Sequence, residues 1–459
     1  MSFVTHDDQT IIALASPRGS GAIALLRMSG AQCLAIGAQI TRLISKKTIA
    51  EVPSHTVHLG TILDNQSAAI DQVMIIVMHG PQTFTGQDTI EITCHNNPFL
   101  IEAITQRAIE CGARLAQEGE FTKRAFLNKK IDLVQAESIN ELIHASTQLT
   151  LKQSLAQVTG SFSAWVQKIE KELITCNALA DASFEFIDEE MEFGTRIKTI
   201  ITTVLGQIEQ IKTTFNYQNH IRQGIRIALI GSVNAGKSSL FNALLQKERS
   251  IVTNIAGTTR DVIEAGVYKK SSYWTLIDTA GLRQTHDCIE QEGINRSYQE
   301  AQLADCILLV IDGSQTIATA QQAIYDDLRE KYKQKLIIVK TKADLNQNSS
   351  NFASAIAISV SVFDKNSIKA LETVIEQKID HDFFNKIESP FLLNQRQFNL
   401  IKSLEKDLTA ILELFQDPIH YELVSYHLKE ALTSLTQLTG KTVSEQAMDE
   451  IFREFCIGK

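Results

Sequence analysis

Residues 225–238 read I-R-I-A-L-I-G-S-V-N-A-G-K-S, and a helix-forming run, S-L-F-N-A-L-L (239–245), follows at once. Six apolar-rich residues, a glycine loop and an amphipathic stretch are the strand, turn and helix that G-x-x-x-x-G-K-[ST] requires. Gly231 and Gly236 let backbone N–H groups turn towards phosphate oxygens, and the helix that follows points its positive end at them. Asn234, Ala235, Gly236, Lys237, Ser238 and Ser239 are the expected cradle. Lys237 is expected to reach the β- and γ-phosphates and Ser238 to hold Mg²⁺. A chance glycine-rich turn is the alternative, and what lies downstream argues against it.

About twenty residues on, Thr253, Asn254, Ile255, Ala256, Gly257, Thr258 and Thr259 lead into R-D; a threonine hydroxyl here, Thr259 foremost, completes the Mg²⁺ shell. D-T-A-G (Asp278, Thr279, Ala280, Gly281) ends a strand-like run; Asp278 can hold Mg²⁺ through water, and the Gly281 N–H can meet the γ-phosphate. T-K-A-D (Thr341, Lys342, Ala343, Asp344) follows L-I-I-V. A carboxylate at Asp344 can accept from guanine N1–H and its 2-amino group, a donor pair that adenine lacks. The motif ordinarily opens with asparagine. Thr341 is expected to forfeit the amide that braces the phosphate loop and so to weaken nucleotide affinity. S-V-S at 359–361 is the candidate bracket for the base. Across residues 219–384 these motifs resemble the translation-factor-like GTPases. Leu282 stands where Ras-like enzymes keep the glutamine that orients the attacking water. Glu290, in D-C-I-E-Q-E-G-I (287–294), is the candidate replacement. Its alternative role is to open the helix that follows, where an acid suits the positive end.

Outward from this segment the texture changes. The chain has 459 residues, enough for about three domains. Its net charge, 44 − 53 = −9, argues against coating nucleic acid through bulk charge. Lys123–Arg124 and Lys129–Lys130 are the candidate local basic spots. No proline lies between Pro98 and Pro390, which invites long helices. Phe162, Val166, Ile169, Leu173, Cys176 and Ala180 recur at helical spacing, and Ile139, Leu142, Ile143 and Leu149 suggest a second stripe. Leu404, Leu408, Ile411 and Phe415 form another, as do Leu428, Leu432, Leu435 and Leu438. Between the two helical segments, I-L-L-V-I, T-L-I-D and L-I-I-V alternate with helical stretches, the pattern of a mostly parallel sheet with crossover helices. The first 125 residues mix strands (I-I-A-L-A, Q-V-M-I-I-V-M, T-I-E-I-T) with one helix near 98–111. The expected architecture is multidomain α/β: an α+β domain at 1–125, an all-α domain at 126–218 continued at 385–459, and a Ras-like P-loop domain inserted at 219–384. The acidic amino terminus is no secretory signal, and no apolar run spans a bilayer. Seven scattered cysteines without a C-x-x-C pair fit a reducing cytoplasm.

T-I-I-A-L-A-S-P-R-G-S-G-A-I-A-L-L-R-M-S-G (10–30), F-T-G-Q-D-T-I-E-I-T-C-H (84–95), G-E-F-T-K-R-A-F-L-N-K-K-I-D-L-V-Q-A-E (119–137) and C-I-G-K (456–459) complete the picture. With the inserted GTPase segment they resemble, over essentially the full length, the MnmE (TrmE) family of tRNA-modification GTPases within the TrmE-Era-EngA-YihA-Septin-like superfamily. The resemblance implies a homodimer formed by the first domain. It implies binding of 5,10-methylenetetrahydrofolate or 5-formyltetrahydrofolate, with Arg27, Glu91, Lys130 and Lys459 lining the pocket. A carboxylate suits a pterin edge and a cation suits an anionic folate tail. It further implies a partner, MnmG (GidA), that carries FAD and uses NADH, and modification of C5 of the wobble uridine of certain tRNAs. It also implies K⁺ held by Asn234, Thr258 and the backbone carbonyls near Thr253 and Ile255, where it stands in for an arginine finger. The alternative is a ribosome-assembly GTPase switch with no modification role. A helical scaffold with a degenerate nucleotide domain conflicts with the intact Lys237, Ser238 and Asp278.

If Asn234 holds K⁺, GTP hydrolysis is expected to run faster in K⁺ than in Na⁺ at equal ionic strength. Asn234→Ala should abolish that difference while sparing GDP binding. Equal rates in the two salts for the unmodified chain would remove the cation from the mechanism.

Overall fold

The strand-rich start of the chain, rich in Ile, Val and Thr, pairs into a seven-stranded sheet in a computed structural model. The structure describes residues 9–17, 19–183, 190–213, 215, 224–245, 263–269, 272–278, 298–317, 319–345, 357–383, 390–415 and 420–458. These fall into two units: Met1–Asn140 with Ala156–Ile201 and Asn399–Lys459, and Glu141–Leu155 with Thr202–Phe398. Among the described residues no helix is long and apolar enough to cross a membrane. The architecture is multidomain α/β.

In the first unit, β1 (Ile11–Leu14), β2 (Ile23–Ser29), β3 (Thr41–Leu43), β4 (Thr56–Leu63), β5 (Ala69–Met78), β6 (Thr89–His95) and β7 (Arg114–Leu115) take the order β3-β4-β5-β6-β2-β1-β7. Alternation along the strands sends Leu26, Met28, Ile75, Val77, Ile90 and Ile92 to one face. There they meet Ile36 and Ile40 of helix α1 (Cys33–Ile40) and Ile104 and Ala108 of α2 (Pro98–Glu110). Helix α2, expected near 98–111, starts where Asn97 accepts from the Phe99 N–H at 2.9 Å and Pro98 fixes the first turn. The register places Arg27 opposite Glu91 across β2 and β6.

Helix α3 (Glu120–Leu127) begins at Gly119, whose φ of +63° and whose closeness to the Phe452 carbonyl leave no room for a side chain. It is followed by α4 (Leu133–Ile143), α5 (Gln148–Val158), α6 (Ser161–Ala182) and α7 (Glu190–Thr213). The six apolar residues spaced along α6 are all buried, as their periodicity predicts. The stripe through Ile139, Leu142, Ile143 and Leu149 does not form. Helix α4 stops at Ile143, which is exposed, and Leu149 belongs to α5; the buried face of α4 is instead Leu133, Val134, Ala136, Glu137 and Ser138.

In the second unit, β8 (Ile225–Ile230), α8 (Lys237–Leu245), β9 (Ile263–Lys269), β10 (Ser272–Asp278), β11 (Cys306–Asp312), α9 (Thr319–Lys331), β12 (Leu336–Thr341), β13 (Ala357–Ser359) and α10 (Lys365–Asp382) follow one another. The sheet order is β13-β12-β11-β8-β10-β9. Among the described strands of this sheet β9 alone runs antiparallel, to β10. Apolar residues cover both faces, with Leu240 and Leu371 on one side and Tyr325 and Leu328 on the other. Strands buried on both faces read as the continuous apolar runs seen in the sequence. The chain ends with α11 (Gln395–Glu413), α12 (Tyr421–Thr439) and α13 (Glu445–Arg453). Leu404, Leu408 and Ile411 on α11, and Leu428, Leu435 and Leu438 on α12, are buried, while Leu432 and Phe415 lie at the margins.

Glu120 ties α3 to the sheet. Its carboxylate receives two nitrogens each from Arg114 and Arg124, at 2.7–3.2 Å, and the Gln117 N–H at 2.9 Å. Burial pushes the carboxyl up, but the Arg114, Gln117 and Arg124 hydrogen bonds outweigh burial and hold it below the usual carboxylate range. A depressed folded-state pKa means stability that is present above the unfolded value and lost as pH falls through the folded one. Glu120→Gln takes the carboxylate from the buried Arg124, leaving its charge the neutral acceptors Gln87 Oε1 and the Gln9 carbonyl, and should cost about 3 kcal/mol at neutral pH, measured by urea unfolding. The gap between variant and parent should narrow as pH drops below the usual carboxylate range.

Candidate functional site

The loop between β8 and α8 is shaped by where it must pass. Gly231 crosses β11 so closely that a side chain would strike the Val310 carbonyl. Asn234 and Gly236 have φ of +63° and +88°, a left-handed pair that turns successive N–H groups inwards. The Ser232 N–H donates to the Tyr325 hydroxyl at 3.0 Å, a contact from the opposite face that no motif announces. Lys237 is 6% exposed, and its Nζ donates to the Gly231 and Ser232 carbonyls at 2.8 Å each. Burial lowers its pKa, against the pull of Asp278.

Ser238 and Asp278, forty positions apart, meet because β10 lies beside β8: the Ser238 Oγ donates to Asp278 Oδ2 at 2.7 Å. Ala235 is buried, while Asn234 and Ser239 are exposed. Thr253, Asn254, Ile255, Ala256, Gly257, Thr258, Thr259, Thr279, Ala280, Gly281 and Glu290 lie outside the described residues.

Thr341 lacks the amide but still touches the loop through its hydroxyl: buried at the end of β12, its Oγ1 lies 2.6 Å from the Ala235 carbonyl of the phosphate loop and 3.1 Å from the Ile311 carbonyl of β11. One hydroxyl proton serves two acceptors, and the nearer of them is the loop. Gly236 rests against the same side chain, 3.4 Å from where its own Cβ would stand to Thr341 Oγ1. The S-V-S segment meets T-K-A-D: Ser361 Oγ donates to Asp344 Oδ1 at 2.7 Å, and the Ala343 N–H reaches the Val360 carbonyl at 3.2 Å. Ser361, not Ser359, makes the side-chain contact to Asp344, because β13 ends at Ser359 and the chain then turns.

A second group of polar residues sits in the first unit. Arg27 Nε and Nη2 bind one oxygen of Glu91 at 2.8 and 2.7 Å, and both side chains are about one-sixth exposed. Arg27 Nη1 donates to the Gly458 carbonyl at 3.0 Å, and the Gly119 N–H reaches the Cys456 carbonyl at 3.4 Å. Gly458, with φ of +89°, passes so close to the Leu14–Ala15 backbone that a Cβ would approach to 2.7 Å. C-I-G therefore lies on the first sheet, beside Arg27. Lys130 is exposed and donates to the Pro81 carbonyl at 2.9 Å instead of joining that pair. Lys459 lies outside the described residues. The candidate basic spots divide: Lys129 and Lys130 are exposed, Lys123 pairs with Asp449 at 2.5 Å, and Arg124 is buried on Glu120. Arg124 is thereby removed as a surface contact for a nucleic acid.

Residues 133–456 match the family model described as the MnmE helical domain, and residues 10–130 match that of the GTP-binding protein TrmE N-terminus. A tRNA modification GTPase MnmE of Aquifex aeolicus is 36% identical over 458 residues, spanning 98% of this chain and 100% of its own. Another, of Enterococcus faecalis, is 34% identical over 467 residues and spans 100% of both. A third, of Christiangramia forsetii, is 32% identical over 474 residues, spanning 98% of this chain and 99% of its own.

If the Thr341 hydroxyl braces the loop, Thr341→Val, which keeps the shape and orphans the Ala235 carbonyl, should weaken GDP binding about tenfold, the effect of a hydrogen bond of 1–2 kcal/mol. Thr341→Ser should retain most of the affinity. Fluorescent-GDP titration separates the two, and equal affinities for Val and Thr would show the contact to be idle.

Proposed function

The chain belongs to the MnmE family of tRNA modification GTPases, and on that footing we propose that it couples GTP hydrolysis to modification of the wobble uridine, U34, of certain tRNAs. A partner of the MnmG (GidA) kind supplies FAD and takes electrons from NADH. Together they add an aminomethyl or carboxymethylaminomethyl group at C5, drawing a one-carbon unit from tetrahydrofolate. The chain works as a homodimer in the cytoplasm, with residues 1–125 binding folate, 126–218 and 385–459 forming the helical domain, and 219–384 the GTPase domain.

On the nucleotide side, the turn at Asn234–Lys237 offers N–H groups to the phosphates, and Lys237 adds a cation. Its Nζ need only exchange the loop carbonyls for phosphate oxygens. Ser238 and Asp278 present hard oxygen donors side by side, which fits Mg²⁺; with Thr259 they would hold the ion, which would supply positive charge against the phosphates. Asp344, steadied by Ser361, accepts from the guanine edge. Glu290 positions the attacking water, and Asn234, Thr253, Ile255 and Thr258 hold K⁺. On the folate side, Glu91 and Arg27 set a carboxylate beside a guanidinium, a donor set that fits a pterin edge and an acidic tail, with Lys130 and Lys459 as further cations.

One observation supports the modification reading over a bare ribosome-assembly switch: the Gly458 carbonyl accepts from Arg27, the residue that also pairs with Glu91. A tail with no task would fray. Deleting residues 456–459 should leave GTP hydrolysis unchanged, because Lys237, Ser238 and Asp278 lie in the other unit. Titrated with 5-formyltetrahydrofolate, the deletion should bind roughly tenfold to hundredfold more weakly, the loss of a charge-assisted contact. Wobble-uridine modification should fall with it. Unchanged folate affinity and unchanged modification would favour the switch.

A further inference from the structure

The nucleotide motifs leave Asp312 without a role. It closes β11 and lies in register with Thr341 across the β11–β12 pair. Its side chain is 13% exposed. Lys342 Nζ donates to Oδ2 at 2.6 Å, while the Ser314 N–H and Oγ donate to Oδ1 at 3.0 and 2.6 Å. Beside this pair the Gly313 N–H donates to the Thr341 carbonyl at 3.0 Å. Both ends of the Asp312 carboxylate are therefore engaged, and only one of them holds Lys342.

Lys342 has φ of +57°, a left-handed conformation that side-chain-bearing residues rarely adopt. The turn is what lets two neighbours do different things. Thr341 stays buried against the phosphate loop, and two residues later Asp344 emerges, exposed, towards Ser361. Without the left-handed step the chain would continue along β12, and Asp344 would be carried away from the end of the sheet. The backbone contributes to the turn through the Leu345 N–H, which donates to the Lys342 carbonyl at 3.0 Å. At the side chain, Asp312 holds the Lys342 ammonium.

We propose that Asp312 is a positioning residue for guanine-nucleotide binding: by clamping the Lys342 ammonium it holds the left-handed turn that aims Asp344 at the base while Thr341 remains on the phosphate loop. The clamp is charge-assisted, which makes it stronger than a neutral hydrogen bond. Burial pushes the Asp312 carboxyl up, but hydrogen bonds from Lys342 and Ser314 outweigh burial and hold it below the usual carboxylate range. Held at its tip, the side chain of Lys342 stays about one-third exposed. The proposal rests on the reading of Asp344 as the guanine-gripping group.

The test is a double-mutant cycle on the full chain with N-methylanthraniloyl-GDP as probe. Asp312→Asn should weaken binding about tenfold, within the range of coupling between contacting residues. Lys342→Ala should weaken it by at least as much, and Asp312→Asn should add nothing once Lys342 is absent. Lys342→Gly, which accepts the left-handed φ freely, should bind better than Lys342→Ala. Equal weakening by Asp312→Asn in the parent and Lys342→Ala backgrounds, or no weakening at all, would overturn the proposal. If Asp312→Asn also lowers the nucleotide-free melting temperature, the Ala-against-Gly comparison at 342 decides, because it leaves Asp312 in place. Asp344→Asn is the control for the premise, with an expected loss of GDP affinity and gain of affinity for the xanthine analogue. If Asp344→Asn leaves GDP binding intact, the guanine reading fails; if it switches the base and Asp312→Asn is silent, only the clamp fails.

Discussion

A single hydroxyl proton at Thr341 joins the two halves of the nucleotide site. Residues that would touch phosphate follow β8, and residues that would touch the base follow β12, with β11 lying between the two strands. Hydrogen bonding along the strands fixes their spacing but does not reach the loops beyond their ends. The contact of Thr341 Oγ1 with the Ala235 carbonyl does, at 2.6 Å. Around it the chain has little freedom. Gly231 lies on Val310, Gly236 on Thr341, and Ser232 is held from the other face by Tyr325. The loop is thus shaped by close backbone approaches that only glycine permits and by two neutral side chains, with charge reserved for Lys237 and Asp278.

The first unit uses the same kind of economy at a different place. Its sheet is covered on one face by α1 and α2. Beside Arg27 the segment 456–458 approaches within contact of Leu14 and Ala15, and Gly458 is the residue that makes this possible. Arg27 sits about 5.8 Å above the Phe121 ring, a cation–π contact that orients its guanidinium. Glu91 takes two of its nitrogens and the Gly458 carbonyl a third. An arginine that lies over a ring and engages acceptors through three nitrogens in this way is not replaceable by lysine, because a point charge on a flexible stem cannot make the same fork.

Membership of the family was legible from the sequence because its motifs are long, ordered and spread over the full length. The covered face of α6 was legible because six apolar residues keep helical spacing through a helix long enough to show the period. The parallel sheet was legible because strands buried on both faces leave continuous apolar runs. The stripe through Ile139 and Leu149 was misread for a related reason: the spacing crossed a break that composition does not mark, where α4 ends at Ile143 and a new helix starts at Gln148. Arg124 was misread as surface charge because a helix can bury an arginine wherever a glutamate one turn earlier, here Glu120, takes its charge.

What the sequence by itself determined were the chemical identities and their order: a G-x-x-x-x-G-K-S loop, a T-K-A-D motif with its carboxylate at Asp344, an apolar period, and the residues C-I-G-K at 456–459. What only the tertiary structure decided were the pairings across long separations. Ser238 meets Asp278 through the β8–β10 register, Thr341 meets Ala235 over the end of β11, Asp312 meets Lys342 across the β11–β12 pair, and Arg27 meets Gly458 from opposite ends of the chain. The reason is physical. A motif encodes what a side chain can donate or accept, but a hydrogen bond needs its two atoms within about 3 Å, and that closeness is set by strand register and backbone approach, which no local spacing records.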